Sequence, residues 1–181
     1  MKLPQLLLSA TSNLSLRAPA LSRPFLRVGL NCVGLKLTAQ LLNFATDFEI
    51  AYKTDQWDNV ARHFNADSTY EVRNTTFECT LNGRDAIVAG FRRSLDGFDR
   101  HLKRTMRVVD GPHENGNELS FTWLGSYFES GIPPLELSAR QTLEFQDSRI
   151  IKLVDEYLSG YGEIAKNWIA SHKPELNPSY L

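Results

Sequence analysis

Only two cysteines, Cys32 and Cys79, occur in the 181 residues, and they form no CxxC pair. That scarcity excludes a disulfide scaffold and fits a reducing, cytosol-like compartment. The four histidines, His63, His101, His113 and His172, are scattered without HxH or HExxH spacing. No two imidazoles are placed to share one metal, so zinc is set aside and no metal ligand is assigned. No apolar run approaches the roughly 18 residues needed to span a bilayer. Net charge is −1, which leaves no footprint for nucleic acid or an anionic membrane surface. Internal repeats are absent as well.

One absence is local. Residues 1–46 hold Lys2, Arg17, Arg23, Arg27 and Lys36 and no acid, whereas the rest of the chain, from Asp47 on, carries 15 basic and 21 acidic residues. SLRAPALSRPFLR has the acid-free, Arg- and Ser-bearing composition of an organelle transit peptide, and RAPA offers a small-residue cleavage-like site. Two readings of residues 1–37 stay open. One is an unstructured basic extension or an over-extended translation start on a cytoplasmic protein. The other is a segment that targets the chain to an organelle or exports it.

From Thr38 onward the apolar residues fall into period. Leu41, Phe44, Ala45, Phe48, Ala51 and Tyr52 predict a helix over TAQLLNFATDFEIAYKT. Asp55 is placed as N-cap of a short second helix, QWDNVARHF, with Trp57, Val60, Ala61 and Phe64 as its buried stripe. ADSTYEVRN alternates as a strand must. A third helix starts after Asn82-Gly83, with Ile87, Phe91, Leu95 and Phe98 inward. Four strands follow, LKRTMRVVDG, ELSFTWLGSYFES, LELSARQTLEFQ and RIIKLVDEYL, separated by the turn chemistry of GPHENGN, GIPP and QDS. YGEIAKNWIASH closes as a helix before the Pro-broken PELNPSYL. Helices followed by a strand meander predict an α+β fold, with helices on one face of a strongly curved antiparallel sheet.

This order, with DQWDNVARHF, FNADSTYEV, NGRDAIVAGF and RIIKLVDEY in sequence, resembles the nuclear transport factor 2-like superfamily and its SnoaL-like branch. The resemblance covers about residues 38–160, leaving 161–181 as a C-terminal helix and tail. It implies a cone, in which a bent sheet wraps the long helices around an apolar pocket, and dimerisation through the outer sheet surface. It also tests the functional positions. The general-base aspartate of ketosteroid isomerase falls at Val72, its oxyanion-hole tyrosine at Phe48 and that tyrosine's partner acid at Gln141. Neither valine nor phenylalanine can do those jobs, which excludes steroid isomerase chemistry in that form. Of the limonene epoxide hydrolase triad only one aspartate remains, at Asp155, because TWLGSYF lacks the Arg-x-Asp pair.

Asp155 is therefore the candidate catalytic acid/base. Read with period two, it shares a strand face with Ile151, Leu153 and Tyr157. The alternative is a carboxylate that accepts structural hydrogen bonds from Tyr or Arg neighbours. Strand parity and the resemblance put Tyr70, Trp123, Tyr127 and Gln141 on the same interior. With Phe48 and Tyr157 they are the expected ligand-binding residues, an aromatic wall suited to a planar molecule or, equally, core filling. Gly125, between Trp123 and Tyr127, marks room for ligand or a bend in the sheet. His101 is a second, rim-placed candidate for proton transfer, read against ordinary solvation. Arg92, Arg93, Arg100, Lys103, Arg104 and Arg107, interleaved with Asp96 and Asp99, read as a solvated face rather than a phosphate site.

Two functions follow. One is a cofactor-independent isomerase, cyclase or hydrolase acting on a small apolar or aromatic substrate, with Asp155 as acid/base and Gln141 or Tyr127 orienting an oxygen. The other is a non-catalytic ligand-binding or dimerisation module. An open cavity that exposes Asp155 favours the enzyme, and a packed interior favours the module.

Overall fold

The computed structural model describes residues 35–181. The two readings of the basic N-terminal segment thus concern residues that lie, up to residue 34, outside the described ones.

Helix α1 spans Lys36–Thr54 and buries Leu37, Leu41, Phe44 and Ala51 along one stripe, as the 3.6-residue period requires. It stops because Asp55 turns left-handed, at φ 59°, and donates its N–H to Ala51 O. Asp55 is thus the C-cap of α1 and not the N-cap of the next helix, since short polar side chains tolerate that backbone. Its carboxylate accepts Trp57 Nε1–H at 2.8 Å. Helix α2 shrinks to Asp58–Ala61 because Phe64 already begins a strand.

Strand β1 (Phe64–Arg73) pairs antiparallel with β2 (Cys79–Asn82), from Thr69 opposite Asn82 to Val72 opposite Cys79. CTLN is thus a sixth strand rather than a lead-in to helix α3 (Arg84–Gly97). A 3-10 turn at Asp99–His101 leads into β3 (Lys103–Asn115), β4 (Glu118–Phe128), β5 (Leu135–Gln146) and β6 (Arg149–Tyr157). Helix α4 covers Tyr161–His172, as its sequence predicts.

The sheet order is β2-β1-β6-β5-β4-β3. Every neighbouring pair is antiparallel except β1 and β6, which run parallel. The last strand is thereby flanked on both sides, which puts its inward side chains deep in the molecule. Curvature comes from interrupted register. In β3 the pairing with β4 slips twice between Val108 and His113, and Gly111 adopts φ 89° at that point. A Cβ there would sit 2.9 Å from Ser120 O, so only glycine fits this bend.

Strand parity holds from Leu153 through Asp155 to Tyr157, all buried. It fails at the start of β6. Ile150, not Ile151, is the core residue, because the register shifts between Glu144 and Phe145 on one side and between Phe64 and Thr69 on the other. Phe64, Ile87, Leu119, Leu143, Ile150 and Leu153 form the most deeply buried apolar core, between α1, α3 and the concave face of the sheet. Among the described residues no helix is long and apolar enough to cross a membrane.

After α4 the chain doubles back across α3 without regular structure. Asn177 N–H donates to Gly97 O at 2.9 Å, Ser94 Oγ donates to Pro178 O at 3.0 Å, and Arg93 Nη1 donates to Tyr180 O at 2.5 Å. Leu176 of this strap is buried.

Candidate functional site

Four strands converge on one carboxylate. Asp155 on β6 is opposite Gln141 on β5 and Val72 on β1, and Trp123 and Tyr70 reach it from β4 and β1. Tyr70 Oη–H donates to Oδ2 at 2.7 Å. Gln141 Nε2–H donates to Oδ1 at 2.7 Å, and Trp123 Nε1–H reaches the same oxygen at 3.4 Å. The residue is only 7% exposed. Its three donors are neutral, and among the described residues it forms no ion pair. Burial pushes its pKa above the ordinary 3.8, while hydrogen bonds from Tyr70, Gln141 and Trp123 pull the other way. Burial, with the Asp155 charge added, pushes the Tyr70 phenol well above its usual range.

The carboxylate does accept hydrogen bonds from neighbours, but from Tyr, Trp and Gln, with no arginine among them. Such a group can exchange a proton without breaking an ion pair, which is the property acid/base chemistry in a dry site needs.

The other expected residues divide. Tyr157 adjoins the Asp155 centre, with its ring edge-on to Trp123 at 5.8 Å and to Phe77 at 5.4 Å. Tyr127 belongs to a second acid centre. Its Oη–H donates to Asp99 Oδ1 at 3.2 Å, and its ring packs on Phe98 at 5.1 Å. Phe48 serves the core, edge-on to Phe91 at 5.4 Å and to Trp57 at 5.8 Å. His101 is exposed, its Nε2 paired with the carbonyl of Asp96 at 2.8 Å. The space beside Gly125 is filled by protein: a Cβ there would lie 2.9 Å from Met106 Sδ and 3.3 Å from both Trp123 and Tyr127.

Sequence reading missed three half-buried residues packed against the interior. Asp99 and Arg104 look like parts of a solvated basic face, yet the Arg104 side chain is only 8% exposed. Its Nη2 donates to Glu49 at 2.8 Å, its Nε lies 3.8 Å from Asp99, and its guanidinium sits 4.2 Å above the Tyr52 ring. Burial pushes Asp99 up, and the Arg104 charge opposes it. The third is Tyr180, from the strap. Its ring stands edge-on to Tyr70 at 5.3 Å and lies 6.4 Å from Phe77. The one signal for it was Gly90, Ser94 and Gly97, small residues at helical spacing that let a chain lie close. A Cβ on Gly97 would sit 2.1 Å from Asn177 O.

Tyr180 thus packs on Tyr70, the residue that donates to Asp155 Oδ2. Among the described residues, surface grooves open in two places that Asp155 does not line. One, of about 760 Å³, lies between α2 and α3 beside Trp57, Asp85 and Arg92. The other, of about 470 Å³, separates the strap from α4. Among the described residues no group of three or more His, Cys, Asp or Glu is gathered as a metal site.

No protein-family model and no curated protein matches the sequence. Solved structures do match in shape. A candidate isomerase from Rhodopseudomonas palustris superposes with a TM-score of 0.58 at 14% identity, over 71% of this chain and 96% of its own. An LEH-like epoxide hydrolase from M. tuberculosis gives 0.51 at 11% identity, over 73% and 93%. A nuclear transport factor 2-like protein of unknown function from Exiguobacterium sp. 255-15 gives 0.51 at 13%, over 66% and 98%. These proteins are matched over nearly their whole length, so this chain carries sequence beyond the shared fold. Likeness at such identities establishes architecture and no activity. The chain has the α+β, nuclear transport factor 2-like fold, in which a curved sheet wraps its helices around a common interior.

Proposed function

We propose that this protein is a cofactor-independent acid/base catalyst of isomerisation, cyclisation or hydration, acting on a small apolar or aromatic molecule in the cone. The observation that carries the reading is a buried carboxylate, Asp155, held by three neutral donors from three strands. Ionised, it accepts a proton from a carbon acid or from water at the oxygen it shares with Tyr70 or Gln141. Protonated, it returns that proton to a neighbouring carbon or oxygen. Burial brings its pKa toward the working pH, where proton transfer in both directions is efficient. Tyr70, Gln141 and Trp123 keep the carboxylate in one orientation, which removes reorganisation from the barrier. On this reading the domain proper is residues 38–160 and residues 161–181 are an appended cover.

The test uses 2-tetralone, a general aromatic carbon acid, in deuterated water, with deuterium incorporation followed by NMR. The protein and its Tyr180→Ala variant should exchange faster than the same two proteins carrying Asp155→Asn, by about 10²–10⁴-fold in the uncovered pair. Equal rates with and without Asp155 would sink the catalytic reading.

A specific observation favours a second reading, the non-catalytic module. The interior is packed, and neither groove reaches Asp155. In that case the cone holds a ligand, or only its own side chains, and Asp155 ties β1, β4, β5 and β6 together. We also infer a homodimer through the outer sheet face, supported by the exposure of Val109 and Phe128 on β3 and β4. Native mass spectrometry at twice 20.5 kDa would bear this out, and a monomer mass at micromolar concentration would refute it.

A further inference from the structure

Tyr180 is an aromatic ring with a hydroxyl, packed on Tyr70, whose own hydroxyl donates to Asp155. Tyr70 and Phe77 flank the ring. Burial holds its phenol in the neutral form, and the Asp155 charge adds to that effect. A ring in this place is therefore neutral, and a guest that replaces it is expected to be neutral too.

The segment that brings the ring there is separable from the fold. It forms no helix or strand. Its hydrogen bonds to α3 come from Asn177 N–H to Gly97 O, Ser94 Oγ to Pro178 O and Arg93 to Tyr180 O. On its other side a groove of about 470 Å³ parts Pro174, Asn177 and Pro178 from Ile169 and Ala170 of α4. Lifting it breaks no strand pairing.

We propose that residues 174–181 are an intramolecular ligand of the cone, with the Tyr180 ring holding the seat of a free, neutral, phenol-bearing aromatic molecule that displaces it. This inference rests on the reading of the cone as a small-molecule site and names the chemical class it takes. The strap then sets the apparent affinity, because a ligand binds only the fraction of molecules whose strap is open.

The probe is p-cresol, the tyrosine side chain as a free molecule, with toluene as its hydroxyl-free counterpart. Binding is measured by NMR titration of the protein and of Tyr180→Ala. Amide hydrogen exchange is measured at Asn177, whose N–H is held by Gly97 O. Saturating p-cresol should accelerate exchange at Asn177 in the unmutated protein while amides of the sheet stay protected. Tyr180→Ala should bind p-cresol about tenfold or more tightly than the unmutated protein, and toluene more weakly than p-cresol. Arg93→Ala, which removes only an exposed anchor, should shift affinity in the same direction and serves if Tyr180→Ala does not fold. The proposal is overturned if p-cresol does not bind, binds without accelerating Asn177, binds the variants no more tightly, or binds no better than toluene. The expected binding pattern with no Asp155-dependent deuterium exchange supports the strap and removes the catalytic reading alone.

Discussion

Two carboxylates, one buried and one half-buried, sit in one cone, and they are satisfied in opposite ways. Asp155 is ringed by the neutral donors Tyr70, Gln141 and Trp123. Asp99 faces the buried guanidinium of Arg104 and takes one neutral bond, from Tyr127. Burial pushes both upward, and what resists it differs: dipoles at Asp155, a full charge at Asp99. A dipole-held acid can change protonation at modest cost. An acid held by a charge cannot, because losing either partner strands the other in a low dielectric. The difference teaches that Asp99 and Arg104 fasten the 3-10 turn and β3 to α1, whereas Asp155 is held by dipoles alone.

The largest break in that comparison comes from Arg104→Met. It leaves Asp99 and Glu49 without their cation and should cost about 3–5 kcal/mol in urea denaturation. A cost below about 1 kcal/mol would show that Asp99 and Arg104 are no structural pair. Next is Tyr70→Phe, which deletes the 2.7 Å bond to Asp155 Oδ2. About 1.5–3 kcal/mol should be lost where Asp155 is ionised, and less at pH values where it is protonated.

The third prediction concerns pH. A carboxylate whose folded pKa is raised binds more protons in the folded than in the unfolded chain between the two values, so stability falls as pH rises through that window. The window opens at about the ordinary 3.8 and closes above the raised folded value of Asp155. The stability of the protein relative to Asp155→Asn should therefore decline with rising pH across it, by about 1.4 kcal/mol per unit of upward shift. A difference that grows with pH in thermal melts would reverse the assignment. The smallest effect is expected at His101→Ala. Its exposed ring contacts neither acid centre, and stability and p-cresol affinity should hold within about 0.5 kcal/mol.

The contrast also separates what sequence could and could not tell. Asp155 was legible because Leu153 and Tyr157 bracket it at period two, so a carboxylate on that face had to be inside. Helices α1, α3 and α4 were legible from their apolar stripes and stop signals. Strand β2 was not, since four residues of CTLN are too few for alternation to stand out. Arg104 and Asp99 were not, because a 3-10 turn places them, and a period-based reading counts their charges as solvated. Tyr180 escaped for a different reason. The strap has no period at all, and its position is set by the cleft along Gly90, Ser94 and Gly97 rather than by its own residues. Local pattern reports the elements, whereas partners brought together by turns and straps depend on the assembled fold.

The most direct test of the acid/base assignment is the carboxyl-carbon NMR titration of Asp155. Its pKa should lie above 3.8 in the intact protein and rise further in Tyr70→Phe, where one of the bonds that favours the ionised form is gone. A value at or below 3.8, or one unmoved by Tyr70→Phe, would contradict the assignment and leave Asp155 as a structural clasp between strands.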